Sequence, residues 1–103
     1  MTTFSTLLVG MHFRSVEARE IVSSLTEDSI LLLEREPENA YDPNAIKVLF
    51  ALDDRAVHLG YIAREDAAYI APQMDEGGEF VASVTGFEQR GKNLHPLLSV
   101  SDE

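Results

Sequence analysis

The segment Arg35-Glu36-Pro37-Glu38-Asn39-Ala40-Tyr41-Asp42-Pro43-Asn44-Ala45-Ile46 gathers residues suited to holding a ligand rather than reacting with it. Pro37 and Pro43 each fix a backbone φ angle and stiffen the chain. Asn39, Asp42 and Asn44 can bond nearby peptide groups and hold a turn. Tyr41 adds a flat ring with a hydroxyl at its edge. A rigid loop that presents an aromatic face, a carboxylate and an amide fits a ligand that both stacks and hydrogen-bonds. The competing reading is a turn-rich connection in which Tyr41 plugs the end of a barrel.

Reactive constellations are missing elsewhere. No glycine-rich run leads into Lys-Ser or Lys-Thr, so no phosphate-cradling loop is expected. The three histidines, His12, His58 and His95, stand far apart with no metal-ligand spacing. Asp53-Asp54 reads as an exposed turn rather than a catalytic pair. There is no Gly-x-Ser-x-Gly elbow. Cysteine is absent, which removes disulfides, thiol nucleophiles and thiolate zinc sites, and makes a reducing cytoplasmic setting the simplest expectation. The sequence thus reads as a binding module and not an enzyme, with no cofactor or metal.

The elements that must position the loop follow from composition and patterning. A chain of 103 residues fits one domain, here residues 1–103 with a core at about 5–100, and 45% apolar content is enough to bury one. The N-terminus shows no secretory signal, and no apolar run is long enough to span a bilayer. Thr6–Phe13 reads as a strand with Gly10 permitting a bulge, and Arg19–Leu25 as one or two helical turns. Ile30–Glu34 reads as a short buried strand and Glu36–Pro43 as a loop. Ala45–Ala51 alternates, Asp53-Asp54 turns, and Val57–Ile62 returns as the second strand of a hairpin. Arg64–Met74 reads as a helix stopped by Gly77-Gly78, with Pro72 expected to kink or shorten its last turn. Phe80–Phe87 alternates, and Leu94–Val100 closes the sheet. The predicted class is mainly β with one or two short helices, a small OB-like or SH3-like β-barrel.

With these elements laid out, the pattern Arg-Glu-Pro-x-Asn-x-Tyr-Asp-x-Asn-Ala-Ile, followed by a strand and Leu59-Gly60-Tyr61-Ile62, resembles the HIRAN domain. The resemblance extends upstream to Val9-Gly10-Met11-His12-Phe13 and downstream through the Arg64–Gly77 helix. That family is known as an OB-like barrel in fork-remodelling, helicase-like translocases and as small standalone bacterial proteins, and its characterised eukaryotic member binds the free 3′-hydroxyl end of single-stranded DNA. The resemblance implies that Tyr41 and Phe13 stack on the terminal bases and that Asp42 accepts a hydrogen bond from the terminal hydroxyl. It puts Asn39 and Arg64 near backbone phosphates, with His12, Arg14 and Tyr61 beside them. It also implies a link to DNA repair or fork processing, with a helicase or other repair protein as a partner.

Several residues depart from the family pattern. Phe13 stands where a tyrosine is found, His12 where the family carries Arg, and Tyr61 where it can carry His. Glu38 stands where the animal protein has an asparagine near phosphate. Each departure weakens phosphate contact and leaves the ring and the carboxylate in place. The overall charge points the same way, since 18 acids against 8 bases give a formal −10, a field that repels polyanions at long range. An acidic protein-interaction module on the same fold, without DNA binding, is therefore the alternative. It calls for scattered bases, whereas DNA binding calls for Arg14, Arg35, Lys47 and Arg64 on the Tyr41 side.

Overall fold

The computed structural model describes residues 3–102. Strand β1 (Thr3–Val9) leads into a 3₁₀ turn (Met11–Phe13) and helix α1 (Val16–Ser24). Strands β2 (Ile30–Arg35), β3 (Ile46–Ala51) and β4 (Ala56–Ile62) follow, then helix α2 (Arg64–Asp75) and the long strands β5 (Phe80–Arg90) and β6 (Asn93–Asp102). The strands close into an antiparallel barrel in the order β1-β4-β3-β2-β5-β6, with β6 pairing back onto β1. Closure leaves no sheet edge exposed. The expected small β-barrel with two short helices is the observed fold.

Alternation along each strand fills the interior from one side. Leu8, Leu31, Ile46, Val48, Leu59, Leu98 and Val100 are fully buried, one or two from each of several strands. Helix α2 adds Ala67, Ile70 and Ala71, and α1 adds Ala18 and Val22. Among the described residues, no helix is long and apolar enough to cross a membrane.

Local departures from the sequence reading have physical causes. Strand β1 ends at Val9 instead of running to Phe13, because Gly10 takes the left-handed conformation (φ 75°) and starts the 3₁₀ turn. His12 and Phe13 therefore project from a turn. Strand β2 is not wholly buried: Leu31 faces the core while Ile30 and Leu32 face outward, since a barrel has only one interior. Helix α1 starts earlier than expected, because the Ser15 hydroxyl caps it by accepting from Ala18 N–H at 3.1 Å. Pro72 does not shorten α2, which reaches Asp75 before a Schellman ending in which Gly77 N–H donates to Met74 O and Gly78 N–H to Gln73 O. Strands β5 and β6 are longer than expected, the pairing shifting register between Val84 and Gly86.

Strand β4 carries the closest backbone approach near the loop. A Cβ added at Gly60 would lie 2.4 Å from the Val9 carbonyl oxygen and 3.1 Å from a Leu8 methyl. Gly60→Ala should accordingly push β1 from β4 and destabilise the barrel by about 1–3 kcal/mol. Urea unfolding would measure it, and a midpoint equal to that of the unaltered protein would contradict the close packing of these strands.

Candidate functional site

The loop joining β2 to β3 is held by a few backbone bonds and by side chains of its own and of Arg35 at its base. Glu36 N–H donates to Ala45 O at 2.9 Å and closes the loop at its base. Beneath it, the Arg35 guanidinium donates to the carbonyls of Ala45 (2.7 Å) and Pro43 (2.9 Å). The same group reaches both carboxylate oxygens of Asp75 at the end of α2, at 2.9 and 3.2 Å. At the tip, Asn39 Oδ1 accepts from the backbone N–H of Tyr41 (2.8 Å) and of Asp42 (3.1 Å). Asp42 Oδ1 accepts from Asn44 N–H at 2.9 Å, an Asx turn that fixes the carboxylate.

The result is a recessed carboxylate beside an unsupported ring. Tyr41 is 89% exposed, so it plugs nothing. The Asp42 side chain is only 17% exposed, with Oδ2 3.9 Å from Arg64 Nε. Val9, Asn39, Tyr41, Asp42, Ala45, Tyr61, Ile62 and Arg64 line an open cleft of about 260 Å³. Five of the sequence-derived residues, Asn39, Tyr41, Asp42, Tyr61 and Arg64, thus meet in one place.

The other three lie outside its lining. Phe13 is 88% exposed on the 3₁₀ turn. His12 lines a separate hollow with Met11, Arg19, Val22, Ser23 and Leu94, and its ring meets that of His95 edge-on. Arg14 donates to His58 Nδ1, which requires the His58 proton on Nε2, where it donates to Gly60 O at 2.9 Å. Burial, then the Arg14 charge, lowers the His58 pKa and keeps the imidazole neutral. Its ring packs edge-on against Tyr61 at 4.9 Å between centroids.

Two residues that the sequence reading passed over tie the site together. Glu36 Oε1 accepts from Asn39 Nδ2 at 2.6 Å and from the Tyr61 hydroxyl at 2.9 Å, while Oε2 lies 3.3 Å from Lys47 Nζ. The Asn39 amide, and after it Tyr61 and Lys47, holds the Glu36 carboxyl below its ordinary pKa although burial opposes this. Tyr61 is shifted up, by burial and by donating to Glu36. His58 is the second, linking Arg14 to the Tyr61 ring. Neither had a sequence signal of its own, since Tyr61 and Lys47 reach Glu36, and Arg14 reaches His58, only in the folded barrel.

Basic side chains do border the loop, but mostly with their charges matched. Arg35 pairs with Asp75, Lys47 with Glu36 and more distantly Glu34, and Arg64 stands 76% exposed at the cleft. Among the described residues, no cluster of His, Cys, Asp and Glu is arranged to hold a metal ion.

The HIRAN domain model matches residues 1–101, nearly the whole chain. The chain belongs to the HIRAN domain family. A Fanconi-associated nuclease 1 homolog from Oryza sativa subsp. japonica is 41% identical over 71 residues, covering 68% of this chain. The HIRAN domain here spans only 7% of the length of that relative. A crystal structure of a Lactobacillus plantarum protein superposes with a TM-score of 0.74 at 28% identity, over 99% of this chain and 98% of that one. The HIRAN domain of human HLTF superposes with a TM-score of 0.68 at 20% identity, over 97% of this chain and 74% of that one, and shares the fold.

The Glu36 network has a pH signature. Its folded pKa lies below the ordinary 4.5, so its stabilisation is complete above that value and is lost as pH falls through the lowered folded pKa. Glu36→Gln removes the titration. The difference in urea midpoint between the unaltered domain and Glu36→Gln should therefore shrink as the pH is lowered from about 6 to about 3. A pH-independent difference would show that the carboxylate is not held charged by its partners.

Proposed function

We propose that this HIRAN domain is a binding module for the 3′ end of single-stranded DNA carrying a free hydroxyl, acting in DNA repair or replication-fork processing. The observation that carries the reading is the exposed Tyr41 ring beside the recessed, oriented Asp42 carboxylate in one open cleft. Tyr41 is the stacking face for the terminal base, and Phe13, on the turn that follows Val9, is the face for a second. The Asp42 carboxylate accepts from the terminal hydroxyl, a charge-assisted bond. A terminal phosphate, mostly doubly ionised near neutral pH, brings about −1.5 to −2 charges against a fixed carboxylate and is repelled by it.

Net charge shapes the strength of this binding more than its existence. Stacking supplies about 1–3 kcal/mol per base and does not depend on the protein's charge. Two stacked bases and one hydroxyl bond, set against an association cost of about 4–15 kcal/mol, point to micromolar or weaker affinity. Asn39 lies near the backbone phosphates, together with Arg64, His12 and Arg14. Arg64 is the exposed cation of the cleft, so few phosphates are neutralised and the salt dependence is shallow, about −0.7 in log–log slope for each.

The second reading, an acidic protein-interaction module without DNA binding, draws support from the matched charges of Lys47 and Arg35. It calls for a basic protein partner and no preference between DNA ends.

Fluorescence anisotropy with short oligonucleotides separates the two. A free 3′-hydroxyl should bind and a 3′-phosphate should not. Tyr41→Ala and Asp42→Ala should each remove the binding. Because Tyr41 is exposed, its replacement should alter stability by no more than about 0.5 kcal/mol. Equal binding to both ends, or none at millimolar protein, would favour the interaction module.

A further inference from the structure

An exposed ring receives no packing support, so the position of Tyr41 is set through its backbone. Its N–H and that of Asp42 are both held by Asn39 Oδ1. The Asn39 side chain is in turn held at its nitrogen by Glu36 Oε1, and the same oxygen accepts the Tyr61 hydroxyl of β4. The other Glu36 oxygen meets Lys47 of β3. One carboxylate therefore joins two barrel strands to the amide that orients the loop tip. Lys47 and Tyr61 are themselves register partners across β3 and β4, so the anchor is rigid.

We infer that Glu36 is the positioning residue of the site: it touches no ligand, and it sets the end selectivity of the domain by fixing Asn39 and, through it, Tyr41 and Asp42. This rests on the DNA-end reading for the selectivity, whereas the fixing of the loop stands apart from any ligand. The geometry of the carboxylate oxygens carries the role, with its charge adding strength. A glutamine retains an oxygen able to accept from both Asn39 and Tyr61, and an alanine retains none.

Two readouts on the intact domain test this. The first needs no DNA: amide hydrogen exchange at Tyr41 and Asp42. Glu36→Ala should speed both by roughly tenfold or more, as expected for loss of a charge-assisted bond, while amides of the buried strands keep their rates. Glu36→Gln should leave them near those of the unaltered domain. The second is the ratio of affinities for 3′-hydroxyl and 3′-phosphate oligonucleotides of one sequence, which should fall toward one in Glu36→Ala and persist in Glu36→Gln. A merely stabilising role would weaken both ligands alike and leave the ratio unchanged, and that result would overturn the inference. So would undisturbed exchange at Tyr41 and Asp42 in Glu36→Ala. Should that variant not fold, Tyr61→Phe removes one of the two Oε1 donors and should give intermediate exchange rates, unchanged rates again overturning the inference. If the unaltered domain shows no end preference, the DNA-end reading fails, and the exchange rates still decide whether Glu36 fixes the loop.

Discussion

The loop between β2 and β3 has no ladder of its own. Beyond three short-range backbone bonds, from Glu36 N–H to Ala45 O, Asn39 N–H to Glu36 O and Ala45 N–H to Asp42 O, its peptide groups must be satisfied by side chains or left to water. This constraint organises the end of the molecule that carries the candidate site. Asn39 takes two N–H groups, Asp42 takes one, and the Arg35 guanidinium takes two carbonyls. Each of these polar residues holds the loop, whatever the loop binds. Because the loop's shape is held from within, Tyr41 can stand in solvent without losing its place, and Asp42 can be recessed without losing its orientation. The barrel supplies the frame through Glu36, Tyr61 and Lys47.

The charge of the domain and the chemistry of its cleft become compatible once the pairings are considered. A formal −10 would oppose any binding that depends on a basic patch. Most of the basic groups bordering the loop are matched by acids, and what the cleft presents is a ring, an amide, a carboxylate and one exposed arginine. Such a surface suits recognition of a terminus through stacking and one directional hydrogen bond. It is poorly suited to tracking a long phosphate backbone.

Patterning made much of this legible. The prolines and Asx residues between Arg35 and Ile46 announced a rigid loop, and alternation in β3, β4 and β5 announced a barrel. Five of the eight candidate residues meet in one cleft. What escaped were features that depend on tertiary context. Apolar spacing does not distinguish a strand continuing to Phe13 from one turning at Gly10, and so it puts His12 and Phe13 on a strand they do not occupy. The unbroken run Ile30–Leu33 hides the alternation in which Leu31 and, partly, Leu33 face inward while Ile30 and Leu32 face solvent. Glu36 looked like one acid among many, because its partners Tyr61 and Lys47 are distant in sequence and meet it only when β3 pairs with β4.

Intermolecular nuclear Overhauser contacts between the Tyr41 ring and a short single-stranded oligonucleotide with a free 3′-hydroxyl test the central claim most directly. The account predicts contacts from the Tyr41 ring protons to the 3′-terminal base. Contacts to the 5′ end or to interior bases alone, or a bound oligonucleotide that leaves Tyr41 untouched, would contradict it.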